Sequence, residues 1–131
     1  MSLFWSQRIW MMLGALAAAT GALTLMLSER LAEYLPHVDM TRVGQIQIVH
    51  AMATISCATF INAGAVHARR APPFFLGGIL CAVVAVGWPS GQANAVQLVG
   101  AIAGLALVTG WVLLIVSTKD SGRVKISDGK A

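Results

Sequence analysis

Four side chains in the stretch Val43–Val66, VGQIQIVHAMATISCATFINAGAV, have types and spacing that could do chemistry: Gln47, His50, Thr54 and Cys57. They succeed one another at intervals of three, four and three residues, which on a helix sets them along one narrow stripe. An imidazole beside an amide and a hydroxyl can hydrogen-bond the head of a small molecule, and it can ligate a metal or a haem iron. Three uses therefore compete for His50. The preferred one is a neutral imidazole bonded to a neighbouring helix, through Gln47 or a backbone carbonyl. Second is a quinone-head or other small-molecule site, with Gln47 and His50 as donors and Thr54 lining it. Haem ligation comes third, because a bis-histidine iron needs a partner at matching depth. His67 lies 17 residues on, about 25 Å along a helix axis.

No other chemistry is legible. The sequence offers no Ser-His-Asp set, no paired carboxylates, no phosphate-cradling glycine loop and no clustered His/Cys/Asp site. Intramembrane Asp or Glu would mark a proton path, and none interrupts an apolar run. Glu33, His37 and Asp39 stand in a connection where a solvated loop is the simpler reading than a metal site. Cys57 and Cys81 each sit inside an apolar run and read as reduced, buried thiols. The expectation is a chain that is not an enzyme on its own and calls for no cofactor or metal.

The elements that must carry the stripe are set by composition. Of 131 residues, 57% are hydrophobic and 11% charged, where a soluble domain would hold roughly 25% charged residues. The deficit falls in long uncharged runs, each suited to a bilayer core of about 30 Å. The fold class expected is all-α: an integral membrane four-helix bundle, one domain over 1–131. Its helices are expected at about 9–27, 43–67, 73–88 and 93–116, with a mobile polar tail at 117–131.

The first run, at 19 residues, exceeds the usual 7–15 of a signal-peptide core, so it is read as a membrane helix. Trp5 and Trp10 fall where indoles favour the membrane interface. The third run, 16 residues or about 24 Å, is short for a crossing and calls for extension past Pro89 or an accommodating bilayer. Between the first two runs, Leu31, Tyr34, Leu35 and Val38 are spaced for a short amphipathic turn that Pro36 ends. Asp39 or Thr41 can cap the helix after it.

Small residues mark the expected contacts between helices. Gly14, Ala18 and Gly21 share a face of the first helix, and Gly100-x-x-x-Gly104 shares one on the fourth, with Gly110 and Trp111 towards its far end. Packing within the chain is the preferred use of the Gly100/Gly104 pair.

Four crossings put the N-terminus, the 67–73 connection and the C-terminal tail on one side. Seven Lys and Arg lie there, against two on the other side, so both termini are expected in the cytoplasm. The bacterial cytoplasmic (inner) membrane is preferred over the mitochondrial inner membrane. Basic residues flank apolar runs and do not interleave with aromatics, which argues against nucleic acid as a partner. The expected partners are the lipid bilayer and other membrane protein subunits. A structural or accessory subunit is the preferred function. The alternatives are a ligand- or cofactor-binding module (quinone or haem) centred on His50, and a small-molecule transporter acting as an oligomer.

Three segments carry a family resemblance. Gly21-Ala22 followed by LTLMLSERL, Gln47-Ile48-Val49-His50-Ala51, and Gly104-LALVT-Gly110-Trp111 together resemble a family of small four-helix membrane proteins named domain of unknown function 423. That family includes the bacterial YgdD-like proteins and the transmembrane protein 256 group. The likeness spans most of residues 14–116 and implies the same four-helix membrane fold. Departures are visible. Ile46 stands where the family has a tyrosine, Leu25 and Met26 where it has a histidine, and CAVVAVGW replaces a Ser-Gly-Ser-Leu-Tyr-like segment of the third helix. The resemblance implies a divergent member with part of any shared site, and the family has no settled activity to carry over.

Overall fold

The computed structural model describes residues 3–87 and 93–119. Five α-helices run in order: α1 Leu3–Met26, α2 Ser28–Tyr34, α3 Met40–Asn62, α4 Pro72–Gly87 and α5 Ala93–Thr118, with a 3₁₀ turn at Val66–Arg70 before α4. No strand occurs among the described residues. The segments Gln7–Met26, Met40–Asn62, His67–Gly87 and Asn94–Thr118 are each long and apolar enough to cross a membrane.

Local chemistry sets the ends. Leu27 breaks α1 from α2, yet Leu27 N donates to Leu23 O and Leu31 N to Leu27 O, so the chain bends with little loss of pairing. Asp39 caps α3: its Oδ1 accepts from Arg42 N at 3.0 Å, satisfying one of the free N–H groups of the first turn. The helix stops at Asn62, five residues short of the exit expected at 67. The cause is Gly64, whose φ of +95° favours glycine. Ala65 N then donates to Phe60 O and Gly64 N to Ile61 O, the paired bonds of a Schellman ending.

The 3₁₀ turn beyond it is dictated by alanine. With three residues per turn, Ala65, Ala68 and Ala71 stack on one face, and all three are fully buried against Ile61, Phe75 and Leu114. His67, Arg69 and Arg70 belong to the same turn, and both arginines are exposed. This turn supplies the length that α4 lacks. The third crossing is extended on its N-terminal side, from His67, and the extension expected past Pro89 falls outside the described residues. Of the tail expected at 117–131, Ser117 and Thr118 belong to α5, and 120–131 lies outside the described residues, as does the side chain of Trp5.

The helices pack as two pairs sharing a middle. α1 lies along α3, α4 along α5, and α3 along α4. In α3 39% of the apolar window is buried, in α1 11% and in α5 17%. α3 is thus the central helix. Its outer neighbours turn Met12, Leu16, Leu23, Leu98, Leu105 and Ile115 outward.

The seams themselves are built from glycine. A Cβ on Gly21 would meet Gln47 Cβ at 2.9 Å and Gly44 O at 3.1 Å, and one on Gly44 would meet Gly21 O at 2.9 Å. Gly14 faces Ile55 and the Ala51 carbonyl on the same seam, and Ala18 is half-buried between these two contacts. Across α4 and α5, Gly78 receives Leu107 and Gly110 receives the Phe75 ring. Gly100 and Gly104 do not pack within the chain: among the described residues, nothing lies within 4 Å of a Cβ at either position. The reason is rotational. α5 turns Ala103, Gly110 and Leu114 inward, which leaves the Gly100/Gly104 face outside.

Candidate functional site

The polar stripe of α3 is divided between two neighbours. Gln47, on its N-terminal half, turns to α1, where its Nε2 donates to Thr20 Oγ1 at 3.5 Å, a long bond. His50 turns the other way, towards the rings of Phe75 on α4 and Trp111 on α5. Thr54 and Cys57 are fully buried.

The polar atoms of the stripe mostly bond back into their own helix. Thr54 Oγ1 donates to His50 O at 2.9 Å, and His50 Nδ1 lies 2.9 Å from Ile46 O. The expected bond from His50 to a neighbouring helix is therefore corrected: its acceptor is the carbonyl four residues back on α3. A carbonyl only accepts, so the bond assigns the proton of a neutral imidazole to Nδ1 and leaves the lone pair on Nε2. Nε2 has no hydrogen-bond partner among the described residues, and no buried side-chain nitrogen or oxygen is left unpaired there. Self-bonding of this kind lets hydroxyl and imidazole groups sit in an apolar setting without the cost of an unmade bond.

Three helices each contribute one ring to the site. His50 and Phe75 have centroids 6.0 Å apart at 48°, His50 and Trp111 6.3 Å at 66°, and Phe75 and Trp111 5.4 Å at 71°. Tilted and edge-to-face contacts of this range add about 0.5–1.5 kcal/mol each beyond burial. Phe75 is fully buried, and Gly110 gives its ring room; the next residue, Trp111, remains partly exposed. Gly110 and Trp111 thus serve one junction: the first admits the Phe75 ring and the second leans on it.

Beside Trp111 an open groove of about 340 Å³ runs between α3 and α5. Val49, Met52, Phe60, Leu114 and Ile115 make it apolar, and Ser56 and Thr118 bring hydroxyls. Both hydroxyls donate to their own helices, Ser56 to Met52 O at 2.9 Å and Thr118 to Ile115 O at 2.7 Å. The groove could take an elongated apolar molecule with an accepting or donating head. Among the described residues no group of three His, Cys, Asp or Glu could hold a metal ion, and His67 lies in the 3₁₀ turn.

Sequence spacing did not reveal Phe75, Gly44 or Gly78. Phe75 stands just after the Pro72-Pro73 start, in a run where every neighbour is apolar, so nothing marked it. Gly44 gains its role from Gly21, which no local pattern connects to it.

Fold and site together define an all-helical chain with four helices fit to cross a membrane and a His–Phe–Trp ring cluster where three of them meet. No family model, curated protein or solved structure matches the chain.

Proposed function

We propose that the chain is a multi-pass protein of the bacterial cytoplasmic membrane, with both termini in the cytoplasm, and that it acts as a structural or accessory subunit. The observation that carries the reading is the outward face of α5. A Cβ at Gly100 or Gly104 would meet nothing within 4 Å on another part of the described chain, so a helix of another subunit could approach that backbone closely. The distribution of charge supports the orientation. Arg8, Arg69, Arg70 and Lys119 share one end of the helices, while Arg30 and Arg42 share the other with Glu29, Glu33 and Asp39. The two segments that resemble the domain of unknown function 423 family, Gln47-Ile48-Val49-His50 and Gly110-Trp111, meet in this chain at His50 and Trp111.

The test is purification in mild detergent followed by native mass spectrometry. A stoichiometric partner subunit retained by the native chain and lost in Gly100→Leu/Gly104→Leu is the expected result. A chain that is always solitary and indifferent to the double substitution would overturn it. For orientation, a reporter fused after Ala131 should be active only in its cytoplasmic form.

A second reading is favoured by one observation: the Nε2 of His50 carries no described hydrogen bond, and its ring lies 6.3 Å from that of Trp111, which lines the α3–α5 groove. On that reading the chain binds a quinone or haem. It predicts a co-purifying quinone or a Soret band that His50→Ala removes.

A further inference from the structure

A second crevice, of about 290 Å³, lies where the first turns of α1 meet the last turn of α3, lined by Gln7, Arg8, Met11 and Asn62. One wall is fixed. Gln7 Nε2 donates to Ala58 O at 2.9 Å, which pins the carboxamide between the two helices. Arg8 has no ion-pair partner among the described residues, and no carboxylate lines the crevice. The described acids, Glu29, Glu33 and Asp39, all sit near the opposite end of α1 and α3, while Arg69, Arg70 and Lys119 share the end that holds the crevice.

We propose that this crevice seats the headgroup of a phospholipid whose only charge is its phosphate. Charge complementarity selects that occupant. The guanidinium fork of Arg8 matches two phosphate oxygens, and the Asn62 amide adds a further donor. Met11, one turn along α1 from Gln7, offers an apolar rest for the glycerol and the first acyl methylenes. A zwitterionic lipid would bring an ammonium group to an end with no described acid to receive it, beside three further cations. The lipid therefore binds by its phosphate, and a net-anionic one is favoured over a neutral one.

The proposal rests on the bilayer setting and does not depend on the accessory role. Its test uses the full chain in micelles, titrated with phosphatidylglycerol or phosphatidylcholine and read by native mass spectrometry. The first phosphatidylglycerol should bind several-fold more tightly than phosphatidylcholine. Arg8→Gln should weaken it about fivefold, the loss expected for one interfacial cation. Asn62→Leu should also weaken it, and Arg30→Gln, at the far end, should not. Equal binding of the two lipids, an Arg8→Gln chain that binds like the native one, or an equal loss in Arg30→Gln would each overturn the proposal. So would displacement by glycerol phosphate at the lipid's own concentration, which would mark a soluble anion as the ligand. Partner-subunit peaks in the same spectra report separately on the accessory reading.

Discussion

Two of the helix seams of this chain use glycine in different ways. Between α1 and α3, Gly21 and Gly44 face each other's carbonyl as well as the side chains of Gln47, Ile48 and Leu25, and the carbonyls cannot give. Between α4 and α5, Gly78 and Gly110 receive the side chains of Leu107 and Phe75, which are larger but can be exchanged or rotated. The first arrangement fixes a distance; the second fills a volume. Removing bulk should hurt the second seam, and adding bulk should hurt the first beyond repair.

The comparison is open to test by substitution, with unfolding in detergent micelles as the readout. Phe75→Ala should cost most, about 3–5 kcal/mol, because a buried ring shared by three helices leaves a cavity. Gly44→Ala should come next at about 1–3 kcal/mol, since the new methyl would lie 2.6 Å from Leu25 Cγ and 2.9 Å from Gly21 O. Trimming Leu25 to Ala should not rescue it, because the carbonyl remains. Gly110→Ala should lose a similar amount through its 2.7 Å approach to Phe75 Cε1, but Phe75→Leu in the same chain should recover part of that loss. Equal rescue in both seams would erase the distinction. His50→Ala should cost about 1–3 kcal/mol, mostly through its contacts with the Phe75 and Trp111 rings, because the hydrogen bond it loses is local to α3. Gly104→Ala should leave the fold's stability unchanged or slightly raised, and a clear loss would mean that α5 is rotated from the orientation described.

Much of the architecture was legible because hydropathy acts over whole segments. Long uncharged runs of leucine, valine and alanine fix four apolar helices whatever their neighbours do. Helix ends were legible only where a local rule spoke plainly, as Asp39 did for α3. Gly64 carried an equally plain stop signal, but it was hidden within an uninterrupted uncharged run. The ring cluster was half legible. His50 and Trp111 are rare residue types and stand out, whereas Phe75 was one apolar side chain among many. The rotation of α5 was not legible at all, because a glycine pair reads the same on an inner or an outer face. Which face packs is decided by Ala103, Gly110 and Leu114 against α4 and the 3₁₀ turn, contacts that join distant parts of the chain.

The alanine-faced 3₁₀ turn also bears on permeation. Ala65, Ala68 and Ala71 are fully buried against Phe75 and Leu114, so the chain is tightly packed where the turn joins α3 to α4. Leakage at the background rate in vesicles is the outcome expected of a single chain so packed.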